Sequence, residues 1–340
     1  LHAEDWTRPY LPSSPYISSE AYKLGMEEHT PEDHLWGPRD YFKGDYYHDA
    51  NAVFASEMGY QVKTNRVAYS RTIVVFIYGS IHFDKVDQFG YEIILGIQAA
   101  AAEQGIGVRV STINDEELKN GLYYNALTGG EYEGCVFLGF KPHPVFIENI
   151  RSMDIPMVVL DNYIDYPMVA RVGYDNTGGI RQMVRYLWSK GHDKIGFLGG
   201  EADSIVTIER REAYSAALRE LGLTEDPAAV KCGHFSGKGT KNLVHEIVGT
   251  GVTAIVCISD LIACTAVREL IKMGYKVPDD ISVTGYDNLP PSEYSQPRIT
   301  TMYQNRIHIG KTAFFMIQQM KSGTEIASVK LRPELIERES

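Results

Sequence analysis

From residue 72 onward, short runs of apolar and β-branched residues alternate with longer segments in which apolar residues recur every three or four positions. The runs TIVVFIY (72–78), GVRVSTI (107–113), GCVFLG (134–139), PMVVLD (156–161), KIGFLG (194–199), TAIVCI (253–258) and ISVTGY (281–286) are predominantly apolar on both faces. That is the pattern of buried parallel strands. Helical faces are marked by Phe89, Ile93, Ile94, Ile97 and Ala101, by Met183, Val184 and Leu187, by Tyr214, Ala217, Leu218 and Leu221, and by Leu261, Ala266 and Leu270. Strand–helix alternation predicts parallel sheets with helical crossovers. Two sets of such units predict an α/β chain with two doubly wound parallel-sheet lobes. Ligands of open α/β sheets bind outside the carboxyl ends of the strands, which places the natural site in the cleft between the lobes.

Residues 1–61 break this grammar, with almost no apolar period up to residue 47. They hold four basic residues (Arg8, Lys23, Arg39, Lys43) against 11 acidic ones, and 11 aromatic residues and five prolines besides. They predict an irregular N-terminal extension, with residues 62–71 as a linker into the first lobe. The whole chain of 340 residues has a formal charge of −11 and no lysine or arginine run, which excludes a DNA-coating basic surface. No apolar stretch approaches the roughly 18 residues a membrane helix needs, and no charged-then-apolar leader opens the chain. Cys135, Cys232, Cys257 and Cys264 form no CxxC pair and are expected to be reduced core thiols, without a disulfide or metal.

Polar residues recur where the strands end: Asp161-Asn162, Asp175-Asn176, Ser259-Asp260 and Asp287-Asn288. Carboxylates and amides at such positions suit the vicinal hydroxyls of a sugar. Asx residues also cap helices, and Asp175-Asn176 before TGGIRQMVRYL is well placed to do so, with Asn176 as the cap.

The segment VGYDNTGGIRQMVRYLWSKGHDKIGFLGG (172–200) resembles the signature of LacI/GalR-type transcriptional regulators. IERREAYSAALRELGL, AIVCISDLIACTAVRELIKMGYKVPDDISVTGYDN and PRITTMYQN continue that pattern in order, so the resemblance spans residues 66–340. It implies an effector-binding core similar to type I periplasmic sugar-binding proteins, with one lobe over 72–161 and 290–322 and the other over 162–289 and 323–340. The family's ligand-contacting arginine corresponds to Arg210, three residues before Ala213-Tyr214. A guanidinium fork bridges two hydroxyls in one plane. The resemblance also assigns ligand contacts to Asp161, Asp260 and Asp287. Tyr78 and Phe83 flank the YGSIHFD loop, where an aromatic ring can lie against a sugar's apolar face.

Regulators of this type carry an N-terminal helix-turn-helix, and none is recognisable before residue 72. The stretch HLWGPRDYFKGDYYHDANAVFASEMGYQ (34–61) instead resembles the nucleophile region of glycoside hydrolase family two, the β-galactosidase and β-mannosidase clan, with Glu57 at the nucleophile position. The family's upstream Asn-Glu acid/base motif and most of its barrel strands are absent, and hydrolysis needs a second carboxyl group. Glu57 is therefore expected to be a relic, and the chain not an enzyme. The expectation for the whole is a cytoplasmic, homodimeric, cofactor-free sugar sensor that meets operator DNA only through a helix-turn-helix supplied by a complete chain, and that meets no membrane. A glycosidase remnant and a transport-type sugar-binding protein are the alternatives.

Overall fold

The first strand, β1 (Thr72–Tyr78), sends Ile73, Val75 and Ile77 into one apolar cluster and Val74 and Phe76 into another. This is the period-two alternation of an extended chain covered on both faces. The computed structural model describes residues 71–340 apart from 79, 80, 82, 84–87, 130, 131 and 140–142. Ser70–Ser340 form one compact unit. The expectations for residues 1–61, Glu57 among them, and for residues 62–70 lie outside the described residues.

In one sheet β1 is joined by β2 (Gly107–Ile113), β3 (Cys135–Leu138), β4 (Met157–Leu160) and β5 (Val169–Tyr174), all in parallel. A second sheet holds β6 (Ile195–Gly199), β7 (Val230–Cys232), β8 (Ala254–Cys257), β9 (Ser282–Asp287) and β10 (Thr300–Tyr303). Two short strands then part company: β11 (Ser328–Leu331) lies parallel to β5, and β12 (Glu334–Ile336) lies antiparallel to β10. The strand orders are β11-β5-β4-β3-β1-β2 and β12-β10-β9-β8-β6-β7. Two α/β lobes result, as the periodicity predicts.

The helices are α1 (Phe89–Glu103), α2 (Asp115–Asn120), α3 (Leu122–Thr128), α4 (Pro144–Ile150), α5 (Asn176–Ser189), α6 (Ile205–Glu220), α7 (Thr240–Val248), α8 (Asp260–Lys272), α9 (Pro290–Tyr294) and α10 (Arg306–Lys321). In the first lobe α1 and α10 share one face of the sheet through Ile93, Ile97, Ile309, Phe314 and Ile317. They approach to backbone contact: a Cβ on Gly96 would stand 2.1 Å from the Ile307 carbonyl oxygen, and one on Gly310 would stand 2.1 Å from that of Ile93. The opposite face is an aromatic cluster in which the Phe76 and Phe137 rings stack at 4.9 Å and Phe146 meets Phe137 edge-on at 5.0 Å. Packed aromatic pairs of this geometry add about 1 kcal/mol each beyond their area.

The chain crosses between lobes three times, but not at the expected places. Residues 162–168 form a loop that returns to the first sheet, where Met157 N–H bonds to the Met168 carbonyl and β5 pairs with β4. The first crossing therefore follows Tyr174 rather than Asp161. The second follows Tyr303 rather than residue 289, because β10 completes the second sheet beside β9. The third falls between Leu331 and Glu334 instead of after residue 322, because β11 still belongs to the first sheet. Among the cysteines, Cys135 and Cys257 are buried and all four are free, but Cys232 is exposed, so it is no core thiol. Among the described residues no helix is long and apolar enough to cross a membrane.

Candidate functional site

In parallel sheets the strand carboxyl ends and the following helix amino ends lie together, and here they carry the unusual backbone. The described non-glycine residues with left-handed φ are Asp161 (52°), Asp287 (104°) and Asn288 (51°), all at strand ends. Such conformations cost about 1–3 kcal/mol each and cluster at functional sites. Helices α5, α8 and α10 begin on the same side, capped by Asp175, Ser259 and Asn305.

The Asp175 side chain accepts the Gly178 N–H at 2.9 Å. Asp175 is thus the cap, and Asn176, expected to cap, is instead the first helical residue. Its amide is 2% exposed and turned to side chains: Nδ2 donates to Glu209 at 2.8 Å and Oδ1 accepts from Arg210 Nε at 2.9 Å. Arg210, on α6, is 4% exposed. Its Nη1 donates to the Ile258 carbonyl at 2.5 Å and stands 3.9 Å from Asp287 Oδ1, and its guanidinium lies 3.6 Å from the centre of the Tyr286 ring. Neighbouring Arg211 turns away to Glu225.

Asp287 is held from both lobes. Gln304 Nε2 donates to its Oδ1 at 3.0 Å, while Arg306 Nη1 donates to its carbonyl at 2.5 Å and pairs through Nη2 with Glu92 at 2.8 Å. Burial raises the Asp287 carboxyl well above the usual carboxylate range, against the pull of Arg210 and Arg306. Asp161 comes from the first lobe and packs against Gly173, where a Cβ would meet its Oδ1 at 2.3 Å. Burial pushes its pKa up to about 6, although Arg210 and Arg171 oppose the shift. Asp161, Arg210 and Asp287 thus form one electrostatic cluster across the lobes.

Asp260 is placed differently from the expectation. It has no exposed surface, and both carboxylate oxygens are engaged: Oδ2 accepts the Leu289 N–H and Oδ1 the Thr301 hydroxyl, each at 2.6 Å. It anchors the segment after β9 from a position with no exposed surface. Burial and the charge of Asp287 raise its pKa. The aromatic residues are not brought together either. Tyr78 packs with the Phe76–Phe137 cluster and Phe83 with the α1–α10 cluster, on opposite faces of the first sheet.

Two features escaped the sequence. One is Phe235, in the loop after β7, whose ring packs over Gly200 and whose carbonyl accepts from Ser259 Oγ at 3.1 Å. It puts an aromatic ring at the strand ends of the second lobe, and GHFSGKG (233–239) signals only a glycine-rich loop. The other is the pair formed by Arg171 on β5 and Glu209 on α6, joined by two hydrogen bonds of 2.8 and 2.9 Å across the lobes. Among the described residues no group of three or more His, Cys, Asp or Glu side chains is arranged to hold a metal. A separate groove of about 520 Å³, lined by Leu127, Tyr132, Glu133, Met153, Ile155 and Lys321 among others, opens beside the amino ends of β3 and β4, away from the cleft.

Residues 184–340 match the family model of the periplasmic binding protein-like domain. The chain is 29% identical over 274 residues to the HTH-type transcriptional repressor CytR of Escherichia coli (strain K12), covering 80% of this chain and 78% of that protein. Among solved structures, the transcriptional regulator CelR–cellobiose complex superposes with a TM-score of 0.72 at 24% identity, over 94% of this chain and 98% of that one. The lac repressor dimer bound to operator and the anti-inducer ONPF gives 0.71 at 23% identity, over 81% and 97%.

Proposed function

We propose that this chain, whose residues 72–340 form an effector-binding core of the LacI regulator type, senses a small polyhydroxylated ligand, a sugar or a nucleoside, and relays its presence as a change in lobe orientation. The observation that carries this reading is the placement of Arg210. It is a buried guanidinium backed by the Tyr286 ring, 3.9 Å from Asp287 of its own lobe and electrostatically coupled to Asp161 of the other. Its Nε is spent on Asn176 and one Nη1 hydrogen on the Ile258 carbonyl, which leaves the remaining Nη hydrogens for ligand oxygens, while Asp161 and Asp287 accept hydrogen bonds from hydroxyls. Phe235 supplies a ring for the apolar face of a sugar or for a base.

A ligand that touches both lobes favours the orientation in which all its contacts are made, and can shift the equilibrium only by its differential affinity. In a complete regulator, two such cores would form the homodimer and a helix-turn-helix would meet operator DNA. The similarity to repressors, together with the hydrogen-bonded rather than reactive disposition of the cleft carboxylates, supports a cytoplasmic sensor and not an enzyme. For residues 1–61 the glycosidase-fragment reading rests on the motif around Glu57 alone, and the absence of turnover of chromogenic β-galactosides and β-mannosides is its expected outcome.

The test is a thermal-shift screen of cellobiose, galactose, mannose, cytidine and adenosine, repeated on Arg210→Ala. A ligand at 100 times its dissociation constant stabilises the fold by about 2.7 kcal/mol. At least one compound is expected to raise the melting temperature of the wild type and leave Arg210→Ala unmoved. A folded protein that responds to none, or a shift that survives the substitution, overturns the reading.

A further inference from the structure

The pair formed by Arg171 and Glu209 has no role in the binding scheme above, yet it is a bidentate and largely buried polar contact between the lobes. Arg171 lies on β5 of the first sheet, and Glu209 lies one residue before Arg210 on α6 of the second lobe. The fork is bidentate, at 2.8 and 2.9 Å, and the Arg171 side chain is only 8% exposed. Such fork-on-fork pairs are directional and depend on the relative orientation of the elements that carry them.

Glu209 does a second thing. Its Oε2 also accepts from Asn176 Nδ2 at 2.8 Å. An amide has one donor end and one acceptor end, so committing Nδ2 to the carboxylate turns Oδ1 toward Arg210 Nε, which it meets at 2.9 Å. An unbroken chain Arg171–Glu209–Asn176–Arg210 therefore runs from a first-lobe strand to the arginine of the cleft. Although burial acts to raise the Glu209 carboxyl, the bonds from Arg171 and Asn176 outweigh it and hold the group ionised, with Lys330 of β11 adding to them.

We propose that Glu209 is the positioning residue of the cleft, joining the lobes through Arg171 and fixing, through Asn176, the pose in which Arg210 meets a ligand. The proposal rests on the reading of the cleft as an effector site and adds to it the means by which lobe orientation and ligand affinity become linked. When the lobes turn, Arg171 leaves Glu209, the amide of Asn176 is released, and Arg210 loses its fixed edge.

Two variants separate this from a plain structural ion pair. Glu209→Gln weakens the fork. The exchange Arg171→Glu with Glu209→Arg restores a cross-lobe pair but gives Asn176 a donor to face, so its amide turns Nδ2 toward Arg210 Nε and two donors oppose each other. Without ligand, the interlobe distance is read by pulsed electron resonance between non-thiol nitroxide labels at exposed residues 125 and 241, and the Arg210 Nε–H by its ¹⁵N-labelled proton resonance. Affinity is read by calorimetry with cellobiose, galactose, cytidine or adenosine, whichever stabilises the wild type.

Glu209→Gln is expected to broaden the distance distribution, remove the protected Nε–H signal and weaken binding at least tenfold. The exchange is expected to restore the distance distribution while the Nε–H signal stays lost and binding stays at least tenfold weak. An unchanged distribution and signal in Glu209→Gln, or recovery of the Nε–H signal in the exchange variant, overturns the proposal. If none of these compounds, nor mannose, binds the wild type, the effector reading fails, and the two ligand-free measurements still decide the role of Glu209.

Discussion

Replacing Asp161 by asparagine separates what this carboxylate costs the fold from what it does for a ligand. The change is isosteric, and asparagine accepts the left-handed backbone of this position (φ 52°) as readily as aspartate. Burial lifts the Asp161 pKa from 3.8 to about 6, a net effect that already includes the attraction of Arg210 and Arg171. The folded state thus holds the proton more tightly than the unfolded chain. The stability this contributes is fully present below pH about 4 and is lost as pH rises through about 6. Two pKa units correspond to about 3 kcal/mol, and allowing for the part of the residue still open to solvent leaves about 1–2 kcal/mol. Asp161→Asn is therefore expected to be more stable than the wild type by that amount at pH 8 and equal to it at pH 4, measured by urea unfolding with an unchanged slope. It is also expected to bind the stabilising sugar or nucleoside about tenfold more weakly, the worth of one charged hydrogen bond. A variant less stable at pH 8, or a gain independent of pH, refutes the argument that this carboxylate is held at the cleft against its own solvation.

Three further outcomes follow from the same structure. Alanine for glycine within a helix ordinarily stabilises by up to about 1 kcal/mol, but Gly310→Ala drives a methyl into the Ile93 carbonyl. It is expected to destabilise by about 1–3 kcal/mol in urea unfolding. Asp260→Ala leaves the Leu289 N–H and the Thr301 hydroxyl without their acceptor. It is expected to cost about 2 kcal/mol at pH 7 while calorimetric ligand affinity stays within about twofold of the wild type, the reverse of Arg210→Ala. Because burial raises Asp287 and Asp260 as it does Asp161, wild-type stability is expected to fall between pH 5 and 8, and a urea midpoint that rises over that range contradicts the assignment.

The strands most legible in the sequence are the β-branched runs bounded by turn signals, the buried β1 and the half-exposed edge strand β2 alike. TIVVFIY and GVRVSTI coincide with β1 and β2 to the residue, because their β-branched runs end at turn signals. Less legible are strands whose composition reports something else. In β5, VARVGY carries the cleft's Arg171 and a glycine that makes room for Asp161. The edge strands β11 and β12 are short and half-exposed, and their pairing depends on where the chain crosses rather than on their own pattern. That is why the first and third lobe boundaries moved, while the second moved because β10 pairs with β9.

At the site, Arg210, Asp161 and Asp287 were legible because each stands at a strand end or in a family motif, and the fold brings them together. Asp260 matched a motif equally well, but only the positions of Leu289 and Thr301 reveal that its oxygens are occupied. Asn176 reads from the sequence as a helix cap, and Glu209 carries no signal, since a glutamate beside an arginine on a helix reads as a solvated face until the second lobe is in place.

The central claim is that a ligand binds between the strand ends of the two lobes, and the most direct measurement is a crystal structure with the compound that gives the largest thermal shift. The account predicts density for that compound hydrogen-bonded to Arg210 and to at least one of Asp161 and Asp287, with Phe235 against its ring. Density in the groove between Tyr132, Met153 and Lys321 instead, with the cleft occupied only by solvent, would contradict it.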